Sequence, residues 1–180
     1  VMLLIGSGLT ILSFSRLLRV DPGFDARHAL TFELGLPAAS YRSNDEITRA
    51  HHRLVEMLRA LPGVTDAGAS THVPLAGGNM TTELEIEGRP VLPPDRPVEV
   101  AYRLTTDGFT AAAGMSMRRG RAIAASDAGD GWRVVTISET AARTLFPGSD
   151  PIGHRVRITG DSAWLTIVGI VGDVRHASLE

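Results

Sequence analysis

The first 18 residues, VMLLIGSGLTILSFSRLL, form an apolar run with no charged side chain before Arg16. A helix that crosses the hydrocarbon core of a bilayer needs about 20 predominantly apolar residues, and this run approaches that length. Its polar side chains before Arg16 are small hydroxyls, which can bond to the backbone of their own helix. Gly6 and Gly8 weaken a helix in water but are common in membrane helices. Residues 1–18 are therefore predicted to be part of a transmembrane helix that starts upstream, which makes the chain a fragment.

Two other interpretations of this run fit less well. A buried core helix would carry a polar face, which the run lacks. A secretory signal peptide has its positive charges before the apolar run, whereas Arg16 and Arg19 follow it. Taken alone, these two arginines would place the remainder in the cytoplasm, but the opposite flank of the helix is missing. The charge pattern therefore leaves the orientation open.

Composition limits the function classes of the remainder. The apolar run is followed by 162 residues, enough for one domain or two small subdomains. The 180 residues are 43% hydrophobic and carry a net charge of −2, and all 18 basic residues are scattered arginines. A nucleic-acid partner would require a strongly basic face, so none is expected. Without cysteine there is no disulfide framework, thiolate metal site or cysteine nucleophile.

The first half of the remainder predicts a strand, helix, strand unit. Residues 29–36, ALTFELGL, alternate as a half-buried strand does. Ser43 and Asn44 are good N-caps for a helix whose apolar positions recur up to Leu61, before Pro62 and Gly63. Residues 64–70 are the second strand, and the unit is long enough for a right-handed crossover.

The second half predicts further strands and short helices. Residues 81–87 and 98–105 alternate as an antiparallel pair, and Asp107 is a candidate cap for a helix ending near Gly114. Residues 118–121 are expected to enter a turn. Strands are then predicted at 134–137, 152–158 and 164–174, with a helix capped by Ser138 after the first of them. The apolar character of residues 164–174, WLTIVGIVGDV, indicates burial on both faces.

Several of these stretches occur together and in a specific order. Residues 20–25, 29–37, 53–64 and 74–78 read VDPGFD, ALTFELGLP, RLVEMLRALPGV and PLAGG. Residues 85–90, 119–123, 137–158 and 164–176 read EIEGRP, RGRAI, ISETAARTLFPGSDPIGHRVRI and WLTIVGIVGDVRH. The ordered set resembles the MacB-like extracytoplasmic core domain of ABC transporter permeases, of the duplicated-permease type. One departure is that relatives commonly have two adjacent aromatics where this chain has Phe109 and Thr110.

The resemblance implies an α+β fold: the end of a transmembrane helix at residues 1–18, then a two-lobed extracytoplasmic domain, 19–180, with mixed sheets and a few short helices. Lobe one would comprise about residues 27–72 and 132–180, and lobe two about 73–131. Asp21, Pro22, Gly23 and Phe24 would form a stiff exit from the bacterial inner membrane, and residues 164–174 the strand that returns toward a second membrane helix.

The resemblance further implies that this chain is not an enzyme and holds no catalytic, cofactor or metal site. A partner ATP-binding subunit would hydrolyse ATP, and the domain would couple that hydrolysis to efflux or to mechanical transmission across the envelope. Membrane lipid, a second copy and a periplasmic adaptor are the other partners considered. Two alternatives stay open: a membrane-anchored periplasmic module that binds a lipid or peptide, and a membrane-anchored hydrolase.

Several residue groups invite a chemical interpretation. His51 and His52 are adjacent, so on a helix they point about 100° apart and cannot both bind one metal; His51, on the apolar face, is predicted to contact the core or a subdomain. The aspartates in Gly-rich turns lack the spacing of a calcium loop and are predicted to be solvated: Asp127, Asp130 and Asp161.

The remaining groups are predicted to be structural. Three clustered arginines are predicted to be a solvated surface, with contact to a phosphate or an acidic partner as the alternative: Arg118, Arg119 and Arg121. Residues 6–8 lack the pattern of a nucleophile elbow, and the glycines at 169 and 172 lie in a strand without the lysine of a P-loop. The sequon at residues 79–81 is discounted because the resemblance is bacterial.

Overall fold

The computed structural model describes residues 2–17, 23–25, 27–37, 39–73, 80–89, 99–131 and 133–174. It contains four α-helices within these ranges: α1 (Met2–Leu17), α2 (Asn44–Arg59), α3 (Phe109–Ala112) and α4 (Glu139–Leu145). A 3-10 helix spans Ala125–Asp130. None of the helices in the described ranges is long and apolar enough to cross a membrane.

The start of α2 follows the predicted capping signal. Ser43 is the N-cap, and its hydroxyl accepts a hydrogen bond from the Glu46 N–H at 3.3 Å. The Glu46 carboxylate in turn accepts from the Ser43 N–H at 3.2 Å, which completes a capping box. The helix ends at Arg59, two residues before the predicted end at Leu61.

Ser43→Ala is expected to lower the free energy of unfolding by about 1 kcal/mol, because it leaves N-terminal N–H groups of α2 without an acceptor. Chemical denaturation monitored by circular dichroism measures the change. Ser40→Ala is the matched control, because Ser40 is exposed and its side chain makes no hydrogen bond within the described structure. Equal stabilities of the two variants would contradict the role of the cap.

Six strands form one mixed sheet, ordered β2-β1-β5-β6-β3, with β4 parallel to β6. The central strand is β6, because β4 pairs along one of its edges while β5 and β3 share the other. The strand bounds are β1 Met80–Ile86, β2 Glu99–Tyr102, β3 Met117–Gly120, β4 Val134–Ser138, β5 Arg155–Ile158 and β6 Leu165–Val171. The α+β fold class is confirmed.

The core lies where α4 packs against β4 and β6. Ile167, in the middle of β6, is fully buried, as expected for a strand covered on both faces. The other members of the buried apolar cluster come from β4, α4, β5 and β6: Ile137, Leu145, Phe146, Val156 and Ile170. Phe109 is also buried, so α3 packs through its single aromatic residue although Thr110 follows it.

Arg155 and Arg157 lie on one face of β5, as predicted. Arg157 forms an ion pair with Glu85 of the neighbouring strand β1, and Arg155 pairs with Glu87, the residue that follows β1. The Arg157 guanidinium also stacks on Trp164, 4.6 Å from the ring centroid. These contacts close the solvent face of the β1–β5 pair.

Three predictions about the strands were wrong. Residues 29–36 form no strand with the described residues, and the side chains of Leu30, Phe32 and Leu34 are exposed. Alternation alone does not make a strand, because sheet hydrogen bonds require a neighbour. Among the described residues, 64–70 form one isolated bridge, between Ser70 and Thr105, and no strand. Of residues 118–121, expected to enter a turn, the first three belong to β3.

The sheet joins segments that were predicted to lie in different lobes. β1 and β3 come from the predicted lobe two, and they pair with β5 and β6 of the predicted lobe one. The loop between β1 and β2 is only partly within the described residues. The lobe boundaries stay a prediction.

Candidate functional site

The segment that follows α1 meets the segment that follows β6. A Cβ on Gly23 would lie 2.1 Å from the carbonyl oxygen of Asp173 and 3.0 Å from the Cα of Val174. Gly23 also has a φ of 82°, in the left-handed region that favours glycine. Only glycine therefore allows the two backbones to approach this closely.

The turn after α3 completes this contact. The Asp25 N–H donates to the carbonyl oxygen of Ala113 at 3.2 Å, and the Gly172 N–H donates to that of Ser116 at 2.8 Å. We call residues 23–25, 113–116 and 172–174 the junction. Of the predicted stiff exit, Gly23 and Phe24 lie in the junction and are half-buried, while Asp21 and Pro22 lie outside the described residues.

The side chain of Asp173 connects the junction to α4. Its carboxylate accepts hydrogen bonds from the Thr140 N–H at 2.8 Å and the Thr140 hydroxyl at 2.7 Å. Arg143 approaches the same carboxylate at 3.4 Å. Partial burial by itself raises the pKa of Asp173, but the hydrogen bonds from Thr140 and Ser138 and the charge of Arg143 outweigh it and lower the pKa.

A second contact joins α2 to the turn before α3. Arg59 donates to the Asp107 carboxylate at 2.8 Å, to the Asp107 carbonyl at 2.8 Å and to the Ala67 carbonyl at 2.9 Å. The His52 Nδ1 lies 3.3 Å from the other carboxylate oxygen of Asp107. We call His52, Arg59 and Asp107 the polar cluster. Gly108 has a φ of 75°, and a Cβ there would lie 2.8 Å from the Ala67 carbonyl oxygen, so this turn also requires glycine.

The polar cluster corrects one prediction. Asp107 does not cap α3, because the N-cap is Gly108 and no side chain bonds there. His51 is half-buried and its Nδ1 lies 2.8 Å from the Ile47 carbonyl within α2, so its contact with the core or a subdomain stays a prediction. The neighbouring His52 is the histidine that reaches Asp107. The spacing of His52 and Arg59, seven residues or two helical turns, was the sequence signal for a shared face.

The three clustered arginines are exposed, as predicted for a solvated surface, and each is also paired within the chain. Arg118 pairs with Glu139 at 3.1 Å and Arg119 with Asp150 at 2.6 Å. The backbone N–H of Ile152 and the Arg119 guanidinium together lower the pKa of Asp150. Arg121 pairs with Asp127. All three arginines belong to β3 or to the residue after it. Their ion pairs therefore hold this edge strand to α4, to the 3-10 helix and to the loop that contains Asp150.

Asp127 is buried rather than solvated, which corrects another prediction. It accepts two hydrogen bonds from Arg121, at 2.7 and 2.8 Å, and one from the Ala124 N–H at 2.8 Å. The Arg121 hydrogen bonds, helped by the Ala124 N–H, hold the pKa of Asp127 below its ordinary value. Asp161 is exposed and accepts from two following N–H groups, as a turn carboxylate does. The side chain of Asp130 lies outside the description.

Asp127→Asn is expected to lower the free energy of unfolding by about 1 kcal/mol at neutral pH, because it removes a charge-assisted pair whose arginine is half exposed. The folded-state pKa of Asp127 is lowered, so the pair contributes fully above the unfolded pKa, near 3.8, and is lost as pH falls further. The stability difference should therefore shrink below that pH. Urea denaturation across pH measures it, with exposed Asp66→Asn as the control; a difference that is independent of pH would contradict the assignment.

A surface groove of about 520 Å³ lies beside α4. Apolar lining comes from Ala142, Phe146 and Ile170, and exposed charged lining comes from Arg119, Arg143 and Asp150, whose carboxylate pairs with Arg119. Arg143 thus contacts both the groove and Asp173. An apolar lining with a few polar groups at its edge is typical of sites that bind small molecules or peptides.

The other predicted sites are structural within the described residues. A Cβ on Gly169 would lie 2.2 Å from the Arg121 carbonyl oxygen, and one on Gly172 would lie 2.7 Å from the Ser116 hydroxyl. These glycines therefore allow β6 to approach β3 and its flanks. Of the sequon, Asn79 lies outside the described residues. In the described ranges, no three His, Cys, Asp or Glu side chains are grouped as a metal site requires.

Comparison with known proteins identifies the family. The family model described as the MacB-like periplasmic core domain matches residues 1–178. None of the curated protein sequences matches the chain.

Solved structures of three proteins are similar to the chain. The periplasmic region of MacB from Actinobacillus actinomycetemcomitans is 14% identical, with a TM-score of 0.49 over 71% of this chain and 54% of that chain. The extracellular domain of the noncanonic ABC-type transporter YknZ from Gram-positive bacteria is 18% identical, with a TM-score of 0.48 over 73% of this chain and 64% of that chain. A domain of a putative permease from Porphyromonas gingivalis is 24% identical, with a TM-score of 0.42 over 64% and 43% of the two chains. The match spans about half the length of the MacB periplasmic region. On the match of the family model to nearly its whole length, the chain belongs to the family of MacB-like periplasmic core domains.

Proposed function

We propose that this chain is the extracytoplasmic domain of an ABC-type transporter permease. In this proposal, the domain couples the ATP-driven motion of membrane helices to efflux or to mechanical transmission across the envelope. The observation that carries this proposal is the junction. A domain inserted between two neighbouring membrane helices must receive and return its chain at one place. The backbones of Gly23 and Asp173 are in contact, which meets that requirement.

The junction also suits the transmission of motion. Its contacts are between backbones, and glycine at positions 23 and 172 leaves no flexible side chain between them. The outgoing segment continues directly from β6, the central strand, whose fully buried Ile167 anchors it in the core. Close-packed interiors have low compressibility and transmit strain. Displacement of a membrane helix would therefore move the sheet rather than a loose loop.

Partners follow from this role. ATP would be hydrolysed by a separate ATP-binding subunit, so this chain is assigned no catalytic step. In this proposal α1 belongs to the first membrane helix of the permease and contacts lipid of the bacterial inner membrane. A second copy of the permease and a periplasmic adaptor are the remaining partners, because a moving extracytoplasmic domain needs another body to act on.

The location can be tested with single cysteines, because the chain contains none. In the full-length permease, cysteines at Ser40 and Asp66, both exposed, should react in intact spheroplasts with a maleimide that cannot cross the inner membrane. Copurification should recover an ATP-binding subunit. Reaction only after the inner membrane is permeabilised would place the domain in the cytoplasm and overturn the proposal.

The groove beside α4 favours a second function, that of a membrane-anchored module binding a lipid or peptide. Its apolar lining and the exposed guanidinium groups of Arg119 and Arg143 suit an amphipathic ligand whose acidic group takes the place of the Asp150 carboxylate at Arg119. Mass spectrometry of the purified protein should then detect a bound lipid or peptide that is lost in Arg119→Ala. Recovery of the same molecules from that variant would argue against binding in the groove.

A further inference from the structure

We infer that Asp173 is a latch that makes α4, and with it the groove, follow movements of the outgoing segment. The inference rests on the proposed function, because it requires a membrane helix that moves that segment. Its basis is that one residue contacts two other parts of the molecule: the incoming segment, at Gly23, through its backbone, and α4, at Thr140 and Arg143, through its carboxylate.

The bonds of Asp173 determine the direction of this coupling. Both carboxylate oxygens are used by Thr140, through its N–H and its hydroxyl, at the first turn of α4. Arg143, one turn later, donates to the same Thr140 hydroxyl at 2.8 Å as well as approaching Asp173. Moving the outgoing segment away from α4 would therefore break several charge-assisted hydrogen bonds together, whereas moving both as one body breaks none.

The opposite end of α4 is held separately. The Arg89 guanidinium bonds the Leu145 carbonyl and stacks on Phe146, 5.0 Å from the ring centroid. Phe146 is buried and also stacks against His154, with ring centroids 5.3 Å apart. With this end fixed, a pull on Thr140 tilts α4 about Phe146. Arg143, which lines the groove, lies on the part of α4 that moves.

The latch can be tested in the full-length permease with its ATP-binding subunit, in lipid nanodiscs and a cysteine-free background. Spin labels at Glu139, half-buried in the first turn of α4 and far from Phe146, and at Thr81, exposed on β1, report the position of the moving end of α4 relative to the sheet. A second pair, at Ile11 on α1 and Thr81, reports movement of the membrane helix. Electron-electron double resonance is recorded with and without ATP under conditions that trap the nucleotide.

Asp173→Asn should reduce the ATP-dependent change in the Glu139–Thr81 distance at least by half, while the Ile11–Thr81 change persists. Asp66→Asn, an exposed aspartate without an ion pair or hydrogen bond among the described residues, is the matched control and should leave both changes intact. Thr140→Val removes only the hydroxyl, retains the N–H bond to Asp173 and should give an intermediate loss. This variant keeps the test valid if Asp173→Asn does not fold.

The outcomes separate the latch from the proposed function. If the α4 distance still changes fully in folded Asp173→Asn and Thr140→Val, Asp173 only caps the helix and the latch is overturned while the transmission role stands. If neither distance responds to ATP in the parent protein, the transmission role fails, and the latch fails with it.

Discussion

Gly23→Ala should lower the free energy of unfolding by about 3 kcal/mol, whereas Gly63→Ala should lower it by only about 1 kcal/mol. Both glycines have a positive φ, 82° and 86°, so both variants incur the same backbone penalty. They differ in their surroundings. A Cβ at Gly23 would meet the Asp173 carbonyl at 2.1 Å, but a Cβ at Gly63 would meet none of the described residues within 4 Å, apart from its own chain neighbours.

The backbone penalty is common to both variants. The difference between their free energies of unfolding therefore measures the close contact at the junction. Thermal and urea denaturation of the purified chain provide the comparison, and hydrogen exchange of the Gly172 amide, which bonds Ser116, should report local opening. In the full permease, Gly23→Ala should also reduce transport per ATP hydrolysed. Equal destabilisation by Gly23→Ala and Gly63→Ala would mean that the two segments do not meet as described.

Arg59→Ala should also lower the free energy of unfolding by about 3 kcal/mol, because it leaves the buried Asp107 carboxylate without its main partner. Arg59→Lys should recover little of that loss. One ammonium group cannot reproduce the planar guanidinium, which donates at once to Asp107 and to the Ala67 carbonyl.

The matched control is Arg53→Ala, on the same helix, which should change stability by less than about 0.5 kcal/mol because Arg53 is exposed. A double-mutant cycle with Asp107→Asn should give a coupling energy above about 1 kcal/mol. Additive effects of the two substitutions would show that Arg59 stabilises α2 without acting through Asp107.

Local signals in the sequence were sufficient to predict many of the helices and strands. The capping box at Ser43 and the cap at Ser138 depend on residues three positions apart, and both helices begin where predicted. The central strand β6 was predictable because continuous apolar character requires cover on both faces. By contrast, β3 was missed because its two arginines leave the segment without an apolar pattern. In the structure β3 is an edge strand, and its Arg119 side chain pairs with Asp150.

The junction and the polar cluster depend on contacts that sequence patterns do not reveal. Gly23 and Asp173 are 150 positions apart, and nothing near either one indicates the other. The alternating residues 29–36 illustrate the reverse case, because their pattern is that of a strand while no neighbour pairs with them among the described residues. Strand formation and close backbone approach are both properties of pairs of segments.

The contact between Gly23 and Asp173 also affects how easily this domain can be exchanged between proteins. Because the incoming and outgoing backbones are in contact, the two ends of the folded domain are separated by only a few ångströms. Domain insertion succeeds most readily where the two ends of the guest are close together. If the domain is inserted between two membrane helices as proposed, it should therefore be exchangeable between host permeases without increasing the distance between those helices.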